Sequence, residues 1–159
     1  MANTQSMCTS FLGELLSATH NFSSANPAQT ASTANTFKAA LYLASATLNA
    51  STTVYSSTGE VTGTNYTAGG VTVTGATNPT STNASTTAGV GYWTPSAPIV
   101  YTTVTLSTAF DTMLLYNSTQ SNKAVAVYTF GSQTITAGNF TLTMPSNTTT
   151  TALVRLSTT

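Results

Sequence analysis

Few side chains in this sequence could do chemistry. The chain has 159 residues, with one histidine, His20, one cysteine, Cys8, and three acids, Glu14, Glu60 and Asp111. A hydrolase triad would have to combine His20 with Asp111 and one of many serines, and no G-x-S-x-G motif is present. Because His20 lies at the end of a predicted helix, a favourable contact of its protonated ring with the helix dipole is the preferred interpretation.

Paired acids and metal ligands are equally scarce. The three acids lie on unrelated segments, so we expect solvated or hydrogen-bonded carboxylates rather than a glycosidase-like pair. One cysteine and one histidine cannot complete a structural zinc site, although a symmetric oligomer could still gather copies of one acid around an ion. No phosphate-binding glycine motif is present. We predict a protein without enzymatic activity, with no catalytic residue, metal ion or cofactor.

The composition is nearly uncharged and rich in hydroxyl groups. Only 4% of the residues are charged and the net charge is zero, whereas the chain has 38 threonines and 19 serines. A globular domain usually has about a quarter charged residues. Without a basic block, non-specific binding to nucleic acid or to an anionic membrane surface is excluded for a single chain. The few large aliphatic side chains predict a thin core that neighbouring subunits would complete.

The N-terminus indicates neither export nor a membrane anchor. It has no basic residue, and its short apolar stretch at residues 11–16 is interrupted by Gly13 and Glu14, so no signal peptide is predicted. No stretch approaches the roughly 18 apolar residues of a membrane helix. The lone Cys8 excludes an intrachain disulfide.

Helical periodicity occurs only at the N-terminus, where it predicts an amphipathic helix over about residues 6–20, capped by Thr9 or Ser10. Residues 21–35 have little to bury and predict a polar, extended arm. Such a helix can pack on its own domain or dock into a neighbour, and we favour the neighbour. The candidate docking residues are Met7, Phe11, Leu12, Leu15 and Leu16.

From Thr36 the apolar period changes to two, which predicts a half-buried strand over residues 37–43. A hairpin loop is predicted at 117–123 and a second turn at Gly138-Asn139. This pattern favours an antiparallel β-sandwich of immunoglobulin-like or jelly-roll type over residues 36–159, preceded by the helix and arm of residues 1–35. Further strands are predicted near 53–55, 59–61, 71–74, 99–106, 112–116, 124–130, 133–136, 139–144 and 152–156.

Residues 75–91 hold hardly any large apolar side chain and predict a long loop. Tyr92 and Trp93 follow it directly. They could form an exposed surface that stacks on a carbohydrate or contacts a partner, but a core plug at one end of the sandwich is the preferred interpretation.

Five stretches of the sequence resemble a family of small virion proteins of tailed bacteriophages. The resemblance extends over nearly the whole chain and implies a structural protein of the particle, without catalysis, most plausibly a decoration or cement protein that forms trimers on the outer capsid surface and binds the major capsid protein. Such a protein would be made in the bacterial host cytoplasm. The resembling stretches are MANTQSMCTSF-x-x-ELL, TFKAALYLASATLNASTT, TGEVTGTNYTAGGVTVT, LLYNSTQSNKAVAVYTFG and AGNFTLTMP.

The scarcity of Lys and Arg agrees with an outer position, since a surface that faces packaged DNA would need more positive charge. The alternative is a module of a head or tail fibre, or of the neck, that binds a host receptor or glycan. It would present Tyr92, Trp93 and the long loop. An enzyme that degrades the host cell wall ranks third.

Overall fold

The computed structural model describes residues 2–23, 34–82 and 89–158. Within these ranges the chain is mainly β, with two antiparallel sheets and one short N-terminal helix. The predicted fold class is thereby confirmed, and the two sheets are consistent with a β-sandwich. The elements are β1 (Ser6–Met7), α1 (Thr9–Leu16), β2 (Phe37–Leu43), β3 (Val71–Thr72), β4 (Thr80–Ser81), β5 (Val90–Trp93), β6 (Ile99–Asn117), β7 (Lys123–Leu142) and β8 (Val154–Ser157).

The larger sheet has five strands in the order β1-β7-β6-β2-β3. Its centre is the long hairpin of β6 and β7, which turns at residues 118–122, where the sequence predicted a hairpin loop. Apolar side chains of this hairpin, such as Val104, Leu114 and Val125, are almost completely buried and form the core. The smaller sheet has the order β4-β5-β8.

The prediction that β2 is half-buried is wrong. Ala40 and Tyr42, expected on the solvent face, are 0% and 2% exposed. The chain that follows β2 folds back over it: the Leu41 N–H donates to the Tyr66 hydroxyl at 3.0 Å, and the Val61 N–H donates to the Leu41 carbonyl at 3.0 Å. The alternation of apolar and polar residues within β2 does not show that a later segment of the chain covers this strand.

The strands of the second half are longer than predicted. The segments 99–106 and 112–116 belong to the single strand β6, and most of the three segments predicted between 124 and 144 belongs to β7. Threonine and aromatic residues continue the β pattern between the predicted segments, so the strands do not end there.

The turn predicted at Gly138-Asn139 is wrong, because β7 continues through both residues. The hairpin is instead irregular at this level, where Thr103 and Ala137 have φ values of +51° and +47°. The Asn139 Oδ1 accepts a hydrogen bond from the Thr103 N–H at 2.8 Å, and the Ala137 N–H donates to the Thr105 Oγ1 at 3.0 Å. These side-chain hydrogen bonds allow β7 to continue through Gly138 and Asn139.

The N-terminal helix is shorter than predicted. Ser6 and Met7 pair with β7 as strand β1, and α1 begins only at Thr9. Neither Thr9 nor Ser10 is the cap, since the N-cap residue is Cys8, which makes no side-chain capping hydrogen bond. The Cys8 N–H donates to the Val125 carbonyl at 3.0 Å, so pairing with β7 takes the backbone groups that a longer helix would need.

The chain divides into two compact units. One unit consists of Met1–His20, Asn35–Thr72 and Val100–Thr141, and the other of Asn21–Ala34, Val73–Ile99 and Leu142–Thr159. This division differs from the boundary predicted between residues 35 and 36, because β1 and α1 belong with the larger sheet.

Two predicted irregular segments are only partly described. Residues 24–33 of the predicted arm and 83–88 of the predicted loop lie outside the described residues. The rest of the 75–91 region is not all loop, since it contains β4 and the first residues of β5.

Candidate functional site

Helix α1 has one buried and one exposed face. Phe11 is 0% exposed, whereas Leu12 and Leu16, one turn apart, are 48% and 92% exposed. Met7 and Leu15 are half-buried. The five candidate docking residues are therefore not equivalent, because Phe11 packs within its own unit and only Leu12 and Leu16 are mainly on the surface.

Glu14 attaches this helix to the larger sheet. Its carboxylate lies 2.7 Å from the Lys123 ammonium group of β7 and 2.7 Å from the His20 Nε2. Partial burial by itself would raise the pKa of Glu14, but hydrogen bonds from the Lys123 and His20 side chains, together with the charge of Lys123, lower the pKa below its usual value. The Phe11 ring meets the His20 ring edge-on at 4.9 Å, so an ion pair and a buried ring contact fix the helix orientation.

Asn117, at the end of β6, joins the two ends of the segment 21–34. Its Nδ2 lies 3.0 Å from the His20 Nδ1 and donates to the Asn35 Oδ1 at 2.8 Å. Because an amide nitrogen can only donate, the His20 Nδ1 accepts, and the Nε2 carries the proton that faces Glu14. His20 and Asn35, which flank this segment, are therefore both hydrogen-bonded to the buried Asn117 side chain.

The triad considered from the sequence is not formed. The Asp111 carboxylate accepts hydrogen bonds from the Asn3 side chain at 2.9 Å and from the Thr112 hydroxyl at 2.7 Å, whereas His20 contacts Glu14. The predicted contact of His20 with the helix dipole is also wrong, because α1 ends at Leu16 and the imidazole bonds to side chains instead.

Glu60 is a buried carboxylate at the centre of a further group of hydrogen bonds, which the sequence did not predict. Glu60 is 6% exposed, and its Oε1 accepts hydrogen bonds from the Tyr66 hydroxyl and the Gly69 N–H, both at 2.7 Å. Its Oε2 accepts from the Tyr55 hydroxyl at 2.6 Å. We call Glu60, Tyr55, Tyr66 and Gly69 the Glu60 cluster. Three donors replace the water that this carboxylate loses on burial.

Further tyrosine rings pack around the Glu60 cluster. Tyr116 stacks on Tyr55 with 4.8 Å between ring centroids, and Tyr101 stacks on Tyr66 at 5.9 Å. The Tyr116 hydroxyl donates to the Gly69 carbonyl at 2.7 Å. Burial, followed by the Glu60 charge, raises the pKa of Tyr116 to about 12 and also raises the pKa of Tyr101. These phenols are neutral hydrogen-bond donors that stabilise the fold.

Strand β5 places Trp93 in the interior. It is 4% exposed, its Nε1 donates to the Thr77 carbonyl at 2.9 Å, and its ring lies 4.8 Å from that of Phe22. Tyr92 is half-buried. The pair does not form an exposed stacking surface, and Trp93 is a core residue, which was the preferred interpretation of the sequence.

A cleft lies among the described residues of the unit that holds the larger sheet. It has a volume of about 410 Å³. Its lining combines hydroxyl groups with apolar side chains, including Ser45, Leu48, Thr52 and Thr58, and contains no charged residue.

Cys8 is buried, and burial followed by the charge of Glu14 raises the pKa of its thiol to about 11. This thiol therefore stays protonated near neutral pH.

Neither a metal site nor a membrane span is found where the structure can be described. In residues 2–23, 34–82 and 89–158, no three His, Cys, Asp or Glu side chains are grouped to hold a metal ion. No helix in the same ranges has the length and hydrophobicity to cross a membrane.

Among the described residues, the N-terminal helix presents an exposed apolar pair. Leu12 and Leu16 stand out as apolar side chains in water on a helix that Glu14 and Phe11 hold in place. Comparison of the chain with protein-family models, with curated proteins and with solved structures finds no match.

Proposed function

We propose that this chain is a non-enzymatic structural protein of a tailed-phage virion, a decoration or cement protein that binds the outside of the head and stabilises the shell. The resemblance of the sequence to small phage virion proteins supports the proposal. The uncharged composition supports it as well, because a neutral surface presents no electrostatic barrier to contacts with the capsid.

The observation that carries the proposal is the exposed pair Leu12 and Leu16. Leu16 is 92% exposed, and a leucine in water forgoes the stabilisation that burial would give. Phe11, buried on the opposite face, and the Glu14–Lys123 pair hold the helix so that both leucines point outward. A short helix with apolar anchors one turn apart fits a hydrophobic groove on a partner.

The partner in this proposal is the major capsid protein, and the chain also associates with itself, as the trimer implied by the resemblance would require. Each contact is small, and the repetition of the contact by capsid symmetry supplies the stabilisation of the shell. Synthesis in the host cytoplasm and assembly on the outer capsid surface belong to the same proposal.

The alternative, a fibre or neck module that binds a receptor or glycan, has less support. Its expected aromatic platform is incomplete, because Trp93 is buried and its Nε1 is already bonded to the Thr77 carbonyl. Copy number separates the two functions, since a cement protein is present in hundreds of copies per particle and a fibre or neck protein in a few dozen at most.

A binding assay with undecorated heads tests the proposed function. The double variant L12S/L16S should bind about a hundredfold more weakly than the unmodified protein, since two leucines that are buried on docking contribute about 3 kcal/mol. The control variant L156S changes another exposed leucine, 38% accessible and outside α1, and should bind normally. Normal binding of L12S/L16S, with both variants folded by circular dichroism, would refute the docking role of the helix.

A further inference from the structure

The long strand β7 has an open backbone edge. β6 lies on one side of β7 and β1 on the other, but β1 covers only Ala126 and Val127. Before these residues the N-terminal chain turns away, since the Thr4 N–H donates to the Leu48 carbonyl at 2.8 Å. Within the described ranges, no strand pairs with this side of β7 after Val127.

Hydrogen bonds show which backbone groups point to the open edge. The Val125 carbonyl accepts from the Cys8 N–H on the β1 side, so the odd-numbered residues of this part of β7 face outward. In agreement, the Thr129 N–H points to the Gln5 Oε1 at 3.4 Å, and the Gly131 carbonyl accepts from the Gln133 Nε2 at 3.0 Å. Two glutamine amides thus occupy positions that the backbone of a further strand would take.

The edge lacks the usual protection against pairing. Natural edge strands carry lysine, proline or bulges that discourage another strand. No charged residue occurs between Lys123 and Arg155, and residues 129–136 contain no proline. No residue from 128 to 136 has a positive φ, and residues 131–134 are exposed, so this edge is accessible.

On the other side of the same sheet, the backbone edge of β2 is largely covered. β3 pairs with Lys38 and Ala39 of β2. Further along β2, the Leu43 N–H donates to the Gly59 carbonyl at 2.9 Å, and Tyr42 bridges to Glu60. A head-to-tail row, in which the β7 edge of one copy meets the β2 side of the next, has no place to form.

We propose that residues 129–135 of β7 pair, in antiparallel orientation, with the same residues of a second copy of this chain, so that Thr129 lies opposite Ile135 and Gly131 opposite Gln133. An antiparallel edge is complementary to itself, because a two-fold axis sets each outward N–H opposite an equivalent carbonyl. Like charges do not oppose the contact, since this stretch carries none. The contact joins the two larger sheets into one sheet of ten strands, and it does not rest on the proposed function.

Solution mass and hydrogen exchange test this contact. The unmodified protein should be a dimer by light scattering, and the outward amides of Thr129 and Gln133 should exchange more slowly as the protein concentration rises. Q133P removes an outward N–H and leaves the bonds to β6 in place, so it should be monomeric. Q133K places two lysines near the axis and should also be monomeric, whereas the matched control Q133T should remain dimeric.

A monomeric unmodified protein would overturn the proposal, and so would the trimer that the resemblance implies, because a two-fold edge contact joins two copies and not three. So would a dimer in which these edge amides exchange at the same rate at every concentration. Q133K keeps the test decisive if Q133P does not fold, because a surface lysine leaves the backbone intact. α1 takes no part in this contact, so its failure leaves the head-binding prediction for Leu12 and Leu16 intact.

Discussion

Replacing Glu60 should reveal how much of the stability depends on one buried carboxylate. In E60A, the hydroxyls of Tyr55 and Tyr66 and the N–H of Gly69 lose their common acceptor. A buried donor without a partner costs about 1–3 kcal/mol, and the two hydroxyls are only partly buried, so we expect a loss of about 3–6 kcal/mol. That loss is a large part of the roughly 5–15 kcal/mol by which a domain of this size is stable.

E60Q separates the charge from the hydrogen bonds. The glutamine oxygen can accept from Tyr66 and Gly69, and its NH₂ group can donate to the Tyr55 oxygen. The charge assistance is lost, and the half-buried Tyr55 O–H loses its acceptor in exchange for the amide donor, which predicts a destabilisation of about 1–2 kcal/mol. The matched control is D111A, which removes a half-buried carboxylate with two side-chain donors and should cost about 1 kcal/mol.

Urea unfolding provides the measurement. Fluorescence of the single tryptophan, Trp93, reports on one unit, and the near-ultraviolet circular dichroism of the tyrosines around Glu60 reports on the other. Coincident transitions justify a two-state free energy. The reasoning is refuted if E60A is no less stable than D111A, or if E60Q loses as much stability as E60A.

Three further predictions concern pH and the helix. The pKa of Glu14 is lowered on folding, so the stabilisation that Glu14 provides is present above its usual pKa of 4.5 and is lost as the pH falls through the folded value. In E14Q, the free energy of unfolding should therefore depend less on pH in this acidic range. Tyr116 has a raised pKa, so its stabilisation is present below pH 10 and is lost towards pH 12; tyrosinate absorbance should therefore rise together with unfolding. F11A should cost about 3–5 kcal/mol in urea unfolding, whereas L16S should change stability by less than about 0.5 kcal/mol.

Local signals in the sequence predict the class of the fold and some of its parts. The alternation from Phe37 to Leu43 gives β2, and the polar stretch after Tyr116 gives the central hairpin loop. The start of α1 was mistaken because β1 pairs with residues far away in sequence, and helical periodicity does not register such pairing. The length of β7 was mistaken because side-chain hydrogen bonds at Asn139 hold a glycine-containing segment extended.

The candidate sites were likewise predictable only where a local pattern in the sequence was sufficient. The exposure of Leu16 and the burial of Phe11 depend on where the sheet lies, and a helical pattern alone does not supply that. The Glu60 cluster had a readable signal, since an acid with tyrosines on both sides precedes Gly69-Gly70. Gly70 has a φ of +68°, and a Cβ there would lie 1.7 Å from the Ala39 carbonyl oxygen, so the loop must return close to β2.

The pairing of β1 with β7 governs when this protein can fold during synthesis. Ser6 is synthesised 121 residues before its partner Val127. Until then α1 has no sheet to cover Phe11, and the neutral, threonine-rich chain must wait in an open form. A truncated product that ends before residue 127 would therefore lack the partner of β1 and would expose the apolar helix that the finished protein holds in place.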